Sequence, residues 1–184
     1  MVSLLEAAKP PPPPAPVATA PKRPGVPLVY ERSAVPAGFA WEPLIAEDNE
    51  AQDALVVVYP DGVERWTALV KLALTPLDIA SIDSPGGYRV AVATGEHAAE
   101  TVLVPDKMQR VRAELGGPKL IFVGMPARGE LVAVDGERAT LDDELQHDFM
   151  LVVEKRYLDA PERDRVTGDV VIYDERPIGR LPRV

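Results

Sequence analysis

The sequence predicts an α+β fold: a single domain with a mixed, mostly antiparallel sheet and three or four helices, preceded by a disordered proline-rich leader. Three observations predict it. Short runs dominated by β-branched residues, ALVVVY at 54–59 and DVVIY at 169–173, have the length and composition of strands. Between them lie segments with apolar residues at helical spacing, opened by Thr or Pro or closed by paired glycines. The third is the distribution of proline: nine of the twenty fall within residues 1–27, five of them consecutive at Pro10–Pro14.

Proline fixes φ and lacks a donor, so residues 1–27 are expected as polyproline II or coil, a spacer or a second contact for a proline-reading groove. Residues 28–184 are then the domain, in a chain of 184 residues that suits one core and is short for two. From 28 to 50 the chain reads as irregular, with Phe39 and Trp41 expected as anchors onto the core.

The strand at 54–59 runs into the turn Pro60-Asp61-Gly62, after which Val63–Trp66 is expected to return as a short arm. Thr67 is read as the cap of a helix to Leu74, with Leu69, Val70, Ala73 and Leu74 at helical spacing. Thr75-Pro76 carries the signature of a second N-terminus, predicting a short helix to about Ile82. Ser84-Pro85-Gly86-Gly87 is a turn, and YRVAVAT at 88–94 alternates like a half-buried strand.

Ala99–Val104 is expected as a further strand. Pro105 opens a helix through Leu115 with Met108, Val111 and Leu115 on one face, and Gly116-Gly117 ends it in the left-handed cap position. Lys119–Val123 and Glu130–Val134 are two arms of a hairpin whose turn is Pro126–Gly129. Thr140 is read as the cap of the longest helix, Leu141 to about Tyr157, with Leu141, Leu145, Phe149, Val152 and Val153 as its buried stripe. Asp159–Gly168 is a charged loop, Asp169–Tyr173 the last strand, and the residues from Arg176 a tail.

Composition excludes several chemistries. Cysteine is absent, which rules out disulfides, thiolate catalysis and cysteine-based zinc sites. The net charge is −9, and because residues 1–27 carry +2 the remainder carries −11. Such a surface repels phosphate backbones and suits a basic protein partner, so no nucleic acid is expected. No stretch approaches the roughly 20 apolar residues of a membrane span, and the amino terminus has no basic n-region, so the expectation is a cytoplasmic protein with no membrane partner.

Candidate chemistry is sparse. The four serines, at 3, 33, 81 and 84, and the two histidines, His97 and His147, form no nucleophile motif. Asp143, Glu144 and His147 fall on one helical face and are the candidate metal ligands, although acids in a first turn are equally what the helix dipole favours. No other cluster completes a ligand set, so no cofactor or metal is expected. His97 reads as a solvated loop histidine, with a general base beside Glu96 and Glu100 as the alternative. Arg128, on the turn with Pro126, is the candidate binding residue, since an arginine there presents a fork to carboxylate or phosphate; the alternatives are a solvated turn residue or an ion pair with Glu130.

The segment LIFVGMPARGELVAVD, an apolar strand followed by Pro126, Ala127 and Arg128 and a second apolar strand, resembles the YtpQ-type family of uncharacterised bacterial proteins, over roughly residues 54–174. The resemblance implies a mixed α+β fold and no assigned reaction. The family pattern continues with an aspartate where this chain has Gly129, so an arginine–aspartate pairing is missing here. The function expected is a non-catalytic, acidic protein-interaction domain of a bacterial cytoplasmic protein, of immunity or assembly type. The alternative is an enzyme or small-ligand binder with a pocket near Arg128.

Overall fold

The computed structural model describes residues 25–48 and 51–183, so the leader expected over 1–27 lies outside the described residues except for 25–27. Val26 within that short piece is buried against Leu72 and Val104, which moves the start of the packed body ahead of residue 28.

The α+β class is observed, with four α-helices among the described residues. Among the described residues the strands divide between two sheets in place of the expected one, and every pairing is antiparallel. The small sheet holds β1 (Leu28–Glu31), β2 (Glu42–Pro43) and β3 (Leu55–Val58), with β3 central and wholly buried. After α1 (Arg65–Leu74) comes the large sheet, built from β4 (Asp78–Asp83), β5 (Arg89–Thr94), β6 (Ile121–Ala127), β7 (Glu130–Asp135), β8 (Val170–Asp174) and β9 (Arg176–Leu181). Its strand order is β4-β5-β7-β6-β8-β9.

Helices cover both faces of the large sheet, so β6 and β7 read as continuous apolar runs where an exposed sheet would alternate. On one face Ile121, Val123, Met125, Ala133 and Tyr173 pack with Met108 and Val111 of α2 (Pro105–Glu114), and with Val29 and Leu55 of the small sheet. On the other, Phe122, Val132, Val134 and Val170 meet Ala139 of α3 (Gly136–Leu141) and Leu145, Phe149 and Val153 of α4 (Asp143–Asp159). Gly124 is where α4 comes closest: a Cβ there would lie 2.3 Å from Val153 Cγ2.

Several local expectations are corrected. Residues 28–50 are not wholly irregular, since they supply β1 and β2, and the anchors there are Val29 and Ile45, whereas Trp41 is 36% exposed. Val63–Trp66 does not return as a strand, because α1 starts at Arg65 with Glu64 as N-cap, and its buried residues are Ala68 and Leu72. Thr75-Pro76 opens no helix: Asp78–Asp83 pairs with β5 across the Ser84–Gly87 turn, so ladder bonds outweigh a local start signal. Ala99–Leu103 is a 3-10 helix, not a strand.

The longest helix is split. Asp135 caps α3 by accepting from Arg138 N–H at 3.0 Å, and Asp142, in extended backbone, caps α4 by accepting from Leu145 N–H at 3.1 Å. Thr140 instead lies inside α3 and donates its hydroxyl to Gly136 O. The break throws Leu141 out of the buried stripe, leaving it 89% exposed. The tail from Arg176 is the edge strand β9.

Candidate functional site

Where the two sheets meet, Arg128 is brought beside Glu100 and His97 in a largely buried cluster of charge. The β6–β7 turn docks onto the segment 95–101 through its backbone, with Gly95 N–H donating to Gly129 O and Ala99 N–H donating to Arg128 O at 3.1 Å. This places Arg128 beside Glu100, which the 3-10 helix has carried fully out of solvent. The Arg128 guanidinium donates through Nη1 to Glu100 Oε1 and through Nη2 to Val29 O at 3.3 Å, and it lies 4.7 Å from the centre of the Tyr30 ring.

Glu100 Oε1 also accepts from Val29 N–H at 3.2 Å. Both polar groups of the Val29 peptide are thus held by one ion pair. In an antiparallel ladder alternate residues turn these groups away from their partner strand, and here the Glu100–Arg128 pair stands where a further strand would bond to β1. The arrangement fastens the small sheet to the large one.

His97 completes the cluster. Its side chain is only 11% exposed, with Nδ1 3.8 Å from Glu100 Oε2 and Nε2 3.9 Å from Glu96 Oε1. The expectation of a solvated loop histidine is therefore corrected, for the 3-10 turn folds it inward. Neither His97 Nδ1 nor Glu100 Oε2 has a hydrogen-bond partner among the described residues. Burial lowers the His97 pKa, and the nearby Arg128 and Lys107 charges act in the same direction. Burial pushes the Glu100 carboxyl up to about 7, against the opposing pull of the Arg128 charge and of its N–H donors.

A second, part-buried hub acts at the same seam. Arg180 of β9 binds Asp169 at 2.6 Å and Asp53 at 3.0 Å and also pairs with Asp48, while Arg183 reaches Glu31 of β1 at 3.3 Å. Lys107 of α2 is buried too, and its ammonium donates to Leu72 O and Thr75 O at 2.7 and 2.6 Å, satisfying carbonyls at the end of α1.

The residues singled out from the sequence are thus redistributed. Arg128 faces inward and does not pair with Glu130, which meets Arg156 of α4. Pro126 is buried and accepts from Val166 N–H. Asp143, Glu144 and His147 are exposed on the first turns of α4, at the far end of that helix from Arg156, so they do not converge with Arg128. No group of three or more His, Asp or Glu residues at metal-binding separation occurs among the described residues. Tyr30 and Arg180 carried no motif in the sequence; Glu100 was named there only as a neighbour of His97, and its place within an alanine-rich apolar run, HAAETVLV, was the further signal for its burial.

A buried carboxyl beside a guanidinium and an imidazole has the composition of an acid–base site. Here, however, Glu100 is wholly covered and its Oε1 is engaged by Val29 N–H and by Arg128. Among the described residues no helix is long and apolar enough to cross a membrane. The chain matches no family model, no curated protein and no solved structure.

Proposed function

We propose that this chain is a non-catalytic, acidic protein-interaction domain that takes up a basic partner segment along the open edge of its large sheet, at β4. One observation carries this reading. β4 pairs with β5 over six consecutive residues without a bulge, has no strand on its other side among the described residues, and is exposed at every position but Ile79.

The edge is usable as a template. Ser84 N–H donates to Tyr88 O at 2.7 Å, so the pair 84/88 is hydrogen-bonded, and alternation along the ladder turns the backbone groups of Ile79, Ser81 and Asp83 outward. The opposite edge is protected: β9 carries Pro177 and a register shift, and Arg180 ties it to Asp48 and Asp53. β4 carries neither proline nor lysine. Asp78 and Asp83 at its ends, on a chain of net charge −9, suit lysines or arginines on the incoming strand and disfavour a second copy of this chain.

The bacterial, cytoplasmic setting and the partner of immunity or assembly type, expected from the sequence, belong to this same proposal. A ligand pocket built on Arg128 has less support, because the fork that would bind the ligand is engaged by Glu100 and Val29.

The test is Ser81→Pro, which deletes one outward N–H and obstructs an incoming strand while the inward bonds to β5 remain. The intact chain should hold a stoichiometric basic partner in affinity capture, and Ser81→Pro should lose it with an unchanged circular dichroism spectrum. Equal recovery of that partner by both forms would sink the edge-pairing reading.

A further inference from the structure

At one end of the small sheet Trp41, Glu42, Val57, Tyr59, Pro60 and Asp61 line an open groove of about 310 Å3. Trp41 directly precedes β2 and Tyr59 directly follows β3, and the pairing of Glu42 with Val57 brings the two aromatic residues onto neighbouring strands. Each ring is braced by an arginine. The Arg32 guanidinium lies 4.9 Å from the centre of the Trp41 ring, and that of Arg65 lies 4.8 Å from the centre of the Tyr59 ring. Arg65 also pairs with Glu42, so the start of α1 ties β2 to the residue after β3.

Aromatic rings held in place beside carboxylates are suited to a proline run. Pyrrolidine rings pack on aromatic surfaces, their backbone is already restricted so little entropy is lost on docking, and they bring no amide N–H to desolvate. Glu42 and Asp61 oppose an anionic ligand and favour a lysine beside the prolines. The chain carries such a segment, Lys9 followed by Pro10–Pro14, Ala15 and Pro16. It also lies within reach. The described chain begins at Gly25 and enters β1 with Leu28 paired to Val58, at the same end of β3 that carries the groove. β1 and β2 flank β3, a separation of about 10 Å. Residues 15–24, in polyproline II geometry, span about 30 Å.

We infer that this groove takes up the chain's own segment Lys9–Pro16, with prolines on Trp41 and Tyr59 and Lys9 toward Glu42 and Asp61. Residues 1–27 carry a charge of +2 and the remainder −11, so attraction to the body acts in the same direction. The short tether holds the segment at an effective concentration on the millimolar scale, which favours it over the same segment of a second copy.

The experiment titrates the full chain, labelled with 15N, with the synthetic peptide KPPPPPAP. A chain carrying Pro10→Ser, Pro11→Ser, Pro12→Ser, Pro13→Ser and Pro14→Ser should bind the peptide with saturating shifts at the amides of Trp41, Glu42, Tyr59 and Gly62. The unmodified chain should bind it on the order of tenfold more weakly, because the tethered segment competes. Adding Trp41→Ala to the five-serine chain should abolish binding while the amide shifts of β5–β8 stay in place. A nitroxide on Ala8→Cys, unique because the chain has no cysteine, should broaden the groove amides of its own chain. The same labelled chain, mixed in without 15N, should not broaden those of an unlabelled copy. Failure of the peptide to saturate on the five-serine chain, or equal binding after Trp41→Ala, would overturn the groove as a proline site. Equal peptide binding by the unmodified and five-serine chains, or broadening that arises only between copies, would overturn its occupation by the chain's own segment.

Discussion

Arg128 and Glu100, 28 residues apart in sequence, form a buried ion pair that grips both polar groups of the Val29 peptide. One bond network therefore joins the β6–β7 turn, the 3-10 helix and the first strand of the small sheet. Removing a single partner leaves the other charge uncompensated in a site with little access to water.

Glu100→Ala should accordingly destabilise the fold by about 3–5 kcal/mol, the usual cost of stranding a buried charge. Arg128→Met should cost less, because the remaining carboxyl can take up a proton. The double variant Glu100→Ala/Arg128→Met should be more stable than the sum of the two single effects requires. Urea unfolding of the three variants checks this, and strict additivity would contradict a direct pair.

The same carboxyl sets a pH dependence. Its folded pKa of about 7 lies above the ordinary 4.5, so between these values the folded state binds more protons than the unfolded one. Stability contributed by Glu100 is present in full below about 4.5 and is lost as pH rises through 7, by about 3 kcal/mol at most. His97 acts oppositely, since a lowered pKa adds stability as pH rises toward 6.5. Comparing the unmodified chain with Glu100→Gln isolates the first effect: the unmodified chain should lose stability relative to the variant between pH 4.5 and 7. Parallel stability curves would contradict the raised carboxyl.

Gly124→Ala should destabilise the fold by about 1–3 kcal/mol, the range for overpacking a filled core. The new Cβ would sit 2.3 Å and 2.9 Å from the two Val153 methyls and 3.0 Å from Val132 Cγ2, forcing α4 away from β6. Thermal unfolding reads this directly. A second substitution, Val153→Ala, should recover part of the loss by clearing the space.

Much of the large sheet was legible in the sequence because its strands are apolar on both faces and bounded by strong turns. β5, β6, β7 and β8, and β3 of the small sheet, each coincide with a run rich in valine, isoleucine or alanine, and glycine or proline follows all of them but β8. Helix α2 was legible for the same reason, with Pro105 inside its start and Gly116-Gly117 past its end. β4 was not, because Thr75-Pro76 is a valid helix start until the Ser84–Gly87 turn brings DIASID against β5. β1, β2 and β9 are short or carry prolines, so their strand character comes from the neighbours they pair with.

The site followed a different rule. Arg128 was visible as a turn arginine, but a turn arginine faces solvent unless another segment closes over it. Here residues 95–101 do so by backbone bonds that leave no mark on composition. Glu100, His97 and Tyr30 gain their surroundings by the same closure.

By itself the sequence determined the α+β class, most of the central strands, the helix after Pro105 and the acidic charge, because these depend on local propensity, on periodicity and on simple counting. Only the tertiary structure decided that Arg128 points inward to Glu100 and that β4 is an open edge while β9 is tied down. Each of these depends on which distant segments meet, and the pairing of distant segments is set by burial and hydrogen-bond satisfaction summed over the whole chain, a quantity that no local window of residues contains.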